Sequence, residues 1–295
     1  MVSQLERLLE ESGSLVLDGA TGTELERRGF PLCTPGWSAA AIEQAPELLR
    51  QIHEDYVTAG AKLITANTFR THARSLSQTP WANRAREMTQ SAVRIARQAA
   101  GKKALVAGGI APLADCYSPE LTPARLDLIG EHRELIRHLA EAEVDVLLIE
   151  TQLTICESTI IAELAAETAI PFLISFVIGR NGQLLSGEPL GEALRAMKQF
   201  APLGCMLNCL PADEVEVAQS CLDEDVKGRL IGVYANTGRL RRDGTWESTA
   251  SRNPAVYADF AARWNELGLR LIGGCCGTTP EHITLVTKMV YDSRR

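Results

Sequence analysis

Residues 126–178 read LDLIGEHRELIRHLAEAEVDVLLIETQLTICESTIIAELAAETAIPFLISFVI, and this stretch decides the fold. Its first part, Leu126–Ala142, repeats apolar side chains every three to four positions, the spacing of an amphipathic helix. Asp145–Thr151 then runs apolar without alternation, as a strand covered on both faces requires. The pattern returns at once, with a helix over Ile155–Thr168 and a second continuous apolar strand over Pro171–Ile178. Helix and buried strand in alternation, at this spacing, are the repeating unit of a parallel sheet.

The same rhythm extends in both directions. Strands are expected at Ser14–Ala20, Lys62–Phe69 and Ala104–Ile110 before this stretch, and at Gly204–Leu210, Leu230–Asn236 and Leu269–Cys275 after it. Helical patterns fill the intervals over Pro46–Ala59, Ala82–Ala100, Glu192–Gln199, Asp213–Cys221 and Pro254–Leu267, and Pro280–Tyr291 follows the last strand. Eight strand-helix units without a linker between them predict an α/β protein built as a single (β/α)8 barrel, one domain over residues 1–295. A doubly wound sheet is the competing topology, but no glycine-rich dinucleotide turn accompanies it and the count of eight favours closure.

Composition narrows the partners. A formal net charge of −7 with 45% hydrophobic residues describes a globular chain without the concentrated basic field of a nucleic-acid binder. No apolar run reaches the roughly 20 residues of a membrane span, and the opening MVSQLERLLEESGS reads as a charged amphipathic helix rather than a signal peptide. Small-molecule partners and a cytoplasmic location are expected, and a homo-oligomer is compatible with everything above.

In a reducing compartment, clustered cysteines point to metal or catalysis before disulfides. Of eight cysteines, Cys33, Cys116, Cys156 and Cys221 have no partner at ligand spacing. Cys205 would sit about 13 Å from Cys209 along a strand. These five read as incidental. Cys275 and Cys276, within GGCCGT at the end of the last strand, differ. Adjacent cysteines on a regular strand point to opposite faces, but the flanking glycines let the backbone bend so that both sulfurs face one point. Cys209, at the end of the sixth strand, can complete a pyramid of three sulfurs. Three protein ligands with an open fourth position is the pattern of catalytic zinc, whereas structural zinc closes with four. An accidental Cys-Cys pair is the plain alternative.

The motifs LDGATGTELERRG, the Trp37 segment, ANTF, IET, NC and GGCCGTTPEHI together resemble the homocysteine S-methyltransferase family, over nearly the whole chain. The resemblance implies that Cys209, Cys275 and Cys276 hold Zn2+, that the substrate is homocysteine, and that a small methyl donor supplies the transferred group. It also implies that Asp18 and Glu150, carboxylates ending otherwise apolar strands, contact homocysteine. Gly19 and Ala20 leave room for backbone N–H groups to approach its carboxylate, and Asn67 and Thr68 can add hydrogen bonds. Trp37 is the candidate for the donor site.

Where betaine-using members carry tyrosines, this chain has Arg70 and Thr151, which disfavours a quaternary ammonium donor. The expected donor is therefore a sulfonium, S-methylmethionine or S-adenosylmethionine. Betaine, another donor or another thiol remains the nearest alternative, and a redox dithiol or a barrel with structural zinc is the reading from a different class. His72 and His282 read as helix-start residues before catalytic ones. Arg239, Arg241 and Arg242 form either a solvated loop or a contact to an anionic donor tail.

Overall fold

In a computed structural model that describes residues 2–32, 36–179, 182–241 and 245–292, all eight apolar runs become parallel strands of one sheet. These are β1 (Leu15–Val16), β2 (Leu63–Ala66), β3 (Leu105–Ile110), β4 (Val146–Gln152), β5 (Phe172–Phe176), β6 (Gly204–Pro211), β7 (Leu230–Asn236) and β10 (Leu271–Gly274). A small antiparallel hairpin, β8 (Gly238–Leu240) with β9 (Trp246–Ser248), lies between the last two. The hydrogen-bonded order is β1-β10-β7-β6-β5-β4-β3-β2. Leu17 bridges to Leu63, and Lys62 N donates to Val16 O (2.7 Å) while Asp18 N donates to Leu63 O (3.1 Å). These contacts join the two ends of the sheet, so the chain forms a (β/α)8 barrel and not an open doubly wound sheet.

The helices fall within a few residues of the sequence reading, at Pro46–Thr58, Ala85–Ala100, Arg125–Glu141, Ile155–Ala166, Leu190–Met197, Val215–Ser220, Pro254–Glu266 and Pro280–Asp292. Unanticipated are the short helices Thr21–Arg27, Ala41–Gln44, Ala73–Leu76 and Glu224–Lys227 and the hairpin. Each is too short for an apolar period to register. The first strand is shorter than expected because its ladder to β2 passes to a side chain at Asp18: the Asp18 backbone still bonds Leu63 and Gly274, but its side-chain Oδ2, not a backbone carbonyl, accepts from Thr65 N at 2.7 Å.

The opening helix, Gln4–Ser12, starts with a capping box between Ser3 and Glu6. It buries Leu5 and Leu9 among the inward side chains Leu15, Leu17, Leu63, Leu105, Val146, Leu148 and Leu271. Full burial of each leucine stabilises by about 1.5–3 kcal/mol. With that end of the barrel filled, the opposite end carries the polar residues. Among the described residues, no helix is long and apolar enough to cross a membrane.

Candidate active site

β10 ends at Gly274, and the chain turns through Cys275-Cys276-Gly277-Thr278. Thr278 N donates to Cys275 O (3.1 Å), and Gly277 takes φ +83°, the third-position conformation of a type II turn that side chains with a β-carbon resist. The Thr278 hydroxyl donates to Cys275 O as well (2.7 Å). A Cβ on Gly274 would lie 2.4 Å from Thr278 Oγ1, so this glycine lets the threonine fold back beneath the turn. Cys275 N donates to Ala235 O (2.7 Å), and Cys276 N donates to Asn236 Oδ1 (2.9 Å). Both cysteines lie beyond the strand, which releases them from the opposite-face rule.

Cys209 reaches the same point from β6, where the pairing with β7 shifts register between Asn208 and Pro211. The shift puts Cys209 at φ +55°, a conformation costing a non-glycine residue about 1–2 kcal/mol. Its Sγ is 3.0 Å from that of Cys275, and all three sulfurs lie within 4.8 Å of one another. Thiolates on a tetrahedral metal with bonds of about 2.3 Å would stand about 3.8 Å apart, so the donor set fits a metal ion. Among the described residues no fourth His, Cys, Asp or Glu joins the group. Hydrogen bonds from Cys209 and then Cys275 hold the Cys276 thiol well below its ordinary pKa, while Cys209, bonded to Cys275 and buried, is pushed well above.

Two carboxylates converge beside the sulfurs. Asp18, 6% exposed, accepts from Thr65 N (2.7 Å) and, more weakly, from Thr65 Oγ1 (3.4 Å). Burial outweighs those bonds and raises its pKa to about 7. Glu150 extends over β3, where a Cβ on Gly109 would sit 2.2 Å from its Oε1. The glycine is what makes room for the carboxylate. Burial, and next the charge of Asp18, raise Glu150 to about 8, against a smaller opposing pull from Arg70. Among the described residues neither carboxylate forms an ion pair, although buried acids are normally paired. Sulfurs that fit a metal next to two unpaired acids, Asp18 buried and Glu150 half-buried, make a receptor for a molecule that brings both a metal ligand and a cation.

The remaining site candidates are more strongly engaged with the protein itself. Asn67 exchanges two hydrogen bonds with Ser38, from Ser38 Oγ (2.7 Å) and to Ser38 O (2.8 Å). Thr68 Oγ1 donates to Gly109 O (2.8 Å). Gly19 admits the Tyr56 ring, which a Cβ would meet at 2.7 Å, and Ala20 N donates to Thr278 Oγ1 (3.2 Å). Trp37 is half-buried, packs edge-on against Phe69 at 5.6 Å and closes over Gly22. His72 caps Ala73–Leu76 through Ser75 (3.3 Å), and burial keeps it neutral with a pKa of about 3. His282 binds back to Thr279 (2.9 Å). Arg239 pairs with Asp213 (3.0 Å) and Arg241 with Glu247 (2.8 Å). Arg242 and Cys33 lie outside the described residues.

The sequence alone assigned no site role to Asn236, in the strand end YANTG, or to Tyr117 in the loop after β3. Arg70 donates to Pro112 O (3.2 Å) and Ala114 O (2.9 Å) of that loop. Tyr117 follows, close enough that the charge of Cys209 is the main cause raising its phenol. Cys116 also comes near Cys276, with burial the main cause of a pKa of about 12.

Residues 15–290 match the family model described as homocysteine S-methyltransferase. Homocysteine S-methyltransferase YbgG of Bacillus subtilis is 33% identical, with 96% of each chain covered. The homocysteine S-methyltransferase of Escherichia coli is 33% identical over 95% of this chain and 96% of its own. Selenocysteine Se-methyltransferase of Brassica oleracea is 27% identical over 99% of this chain and 93% of its own. Among solved structures, the metallated form of the homocysteine methyltransferase MmuM from Escherichia coli superposes with a TM-score of 0.83 at 27% identity, covering 99% of both chains.

Proposed function

We propose that this chain, an enzyme that belongs to the homocysteine S-methyltransferase family, holds zinc through Cys209, Cys275 and Cys276 and methylates homocysteine to methionine from a sulfonium donor, S-methylmethionine or S-adenosylmethionine. The observation that carries this reading is the pair of unpaired acids, Asp18 buried and Glu150 half-buried, beside three sulfurs that fit a metal. Homocysteine offers a thiol to one and an ammonium to the other. Cys209, Cys275 and Cys276 would hold the zinc, which would supply the Lewis acidity that favours the thiolate form of the substrate sulfur near neutral pH.

The protein's own contribution is placement. Glu150 and Asp18 hold the ammonium, and its arrival restores the charged state that burial disfavours. Backbone N–H groups near Gly19 and Ala20 approach the carboxylate, with Asn67 and Thr68 shaping the neighbouring wall. Trp37 lines the donor side. The substrate sulfur forms its bond to the methyl carbon as the carbon–sulfonium bond breaks, and the electron pair leaves with a neutral thioether. Thr151 supports a sulfonium over betaine. Its side chain is 1% exposed and bonded to Asn208, so it offers no aromatic face to a quaternary ammonium. We place the reaction in the cytosol, where these thiols stay reduced.

The test is methyl transfer by zinc-loaded protein, with isotopically labelled S-methylmethionine, S-adenosylmethionine and betaine against homocysteine, and selenocysteine as a second acceptor. Labelled methionine from a sulfonium donor is expected. Absence of turnover with all three donors would overturn the reading, and preference for selenocysteine would reassign the acceptor.

A further inference from the structure

We propose that Asn208 is a positioning residue that fixes the interval between the sulfur cluster and the Glu150 carboxylate, and thereby sets the length of thiol the site accepts. The proposal rests on the reading that Glu150 holds the substrate ammonium and the cysteines its sulfur-binding metal.

Asn208 precedes Cys209 on β6, and Thr151 follows Glu150 on β4. The two strands are not neighbours, because β5 runs between them. Their side chains nonetheless meet inside the barrel. Thr151 N donates to Asn208 Oδ1 (3.1 Å), and Asn208 Nδ2 donates to Thr151 Oγ1 (2.8 Å). Both residues are sealed from solvent, at 0% and 1% exposure. Ser175 of the intervening strand takes a second, longer bond from Thr151 N (3.4 Å), and its hydroxyl is bonded in turn to that of Tyr234 on β7. A belt of hydrogen bonds therefore links four consecutive strands just beneath the site.

The backbone is irregular where the belt attaches. Thr151 has φ +62° and Cys209 has φ +55°, with register shifts spanning both positions, between Ile149 and Gln152 and between Asn208 and Pro211. Threonine is β-branched, and neither residue favours the left-handed region. Such conformations persist only where surrounding contacts over-determine them. Here the contact is one amide that bonds Thr151 at both its N–H and its hydroxyl. One end of the link is a single residue from the metal-binding sulfur, and the other is a single residue from the ammonium-binding carboxylate. Homocysteine and cysteine differ by one methylene between those two anchor points. A fixed interval accepts one and strains the other, a discrimination of roughly 10- to 200-fold for one methylene.

The test uses full-length protein loaded with Co2+, whose absorption changes when a thiol joins the metal, so that dissociation constants for homocysteine and cysteine are read without a methyl donor. Asn208→Ala should keep one metal and its cysteine-to-metal absorption while the homocysteine-over-cysteine preference falls at least 10-fold. Adding Thr151→Gly should recover most of the preference, because glycine adopts positive φ unaided and removes the orphaned hydroxyl. If Asn208→Ala does not fold, Thr151→Val, which removes only the hydroxyl, should lower the preference in the same direction. Unchanged preference in the folded variant, equal weakening of both thiols, or loss of the metal would overturn the assignment. A wild-type spectrum indifferent to homocysteine would instead refute the functional reading beneath it.

Discussion

Glu150→Gln separates what the carboxylate does for the substrate from what it does to the fold. Its pKa, ordinarily 4.5, is raised to about 8 by burial and then by the charge of Asp18. At about 1.4 kcal/mol for each tenfold change in proton affinity, ionising it in the substrate-free protein costs at most about 5 kcal/mol. Relaxation and water entry reduce this to about 2–4 kcal/mol. An acid whose folded pKa is raised binds more protons folded than unfolded, so its contribution is fully favourable below 4.5 and is lost as the pH rises towards 8. Glutamine fills the same space without ionising. Metal-free, reduced Glu150→Gln should therefore match the wild type in urea unfolding at pH 4.5 and exceed it by about 2–4 kcal/mol at pH 8.5. Homocysteine affinity should move the opposite way, falling about 10- to 100-fold with loss of a charge-assisted hydrogen bond. 4-Mercaptobutyrate, which lacks the ammonium, should be nearly indifferent. Parallel stability curves for the two proteins across this pH range would refute the desolvated, uncompensated carboxylate, and equal penalties on both thiols would refute its pairing with the ammonium.

The wild-type chain should bind about one zinc, and Cys209→Ala, Cys275→Ala and Cys276→Ala should each lose it while keeping the circular dichroism of the barrel, because the ligands sit at strand ends outside the core; full zinc occupancy in any of the three would remove that residue from the ligand set. Homocysteine binding at pH 7 should release more than the roughly one proton of its thiol. The arriving ammonium holds Asp18 and Glu150 ionised, and their unliganded pKa values are about 7 and about 8. Calorimetry in buffers of different ionisation enthalpy measures this, and absence of release would contradict both the thiolate and the carboxylate assignments. Gly109→Ala puts a Cβ 2.2 Å from Glu150 Oε1, so it should weaken homocysteine at least about 10-fold while costing about 1–3 kcal/mol of stability; unaltered affinity would mean the carboxylate is free to bind from elsewhere.

The barrel was legible because its strands are apolar on both faces, and eight such runs stand out against amphipathic helices. The cysteine set was legible for a related reason. Thiols at the ends of the sixth and eighth barrel strands can meet only if a closed sheet puts those strands one apart, as the order β10-β7-β6 does. The role of the glycines around the pair was only partly legible. Gly277 supplies the turn conformation, whereas Gly273 and Gly274 yield space to Leu17 and Thr278, contacts more than 250 residues apart in one case and four in the other. What was not legible for Asn67 and Thr68 is what they bind within the protein, since their partners Ser38 and Gly109 come from other parts of the barrel. The left-handed backbone of Thr151 and Cys209 left no trace in the sequence, because neither residue type advertises it.

The closure of β1 onto β10 has a consequence for how the protein comes into being. The first and last strands of the sheet are neighbours, Asp18 leans on Gly274 through a backbone bond of 2.9 Å, and two of the three sulfurs arrive with the final strand. A nascent chain that has emerged through β7 already carries Cys209, Glu150 and Asp18, but it has one thiol of the cluster of three and an open flank where the ring should shut. The three sulfurs and the two acids thus come together only once β10 has been made, and a product cut or stalled before that strand lacks the assembled cluster.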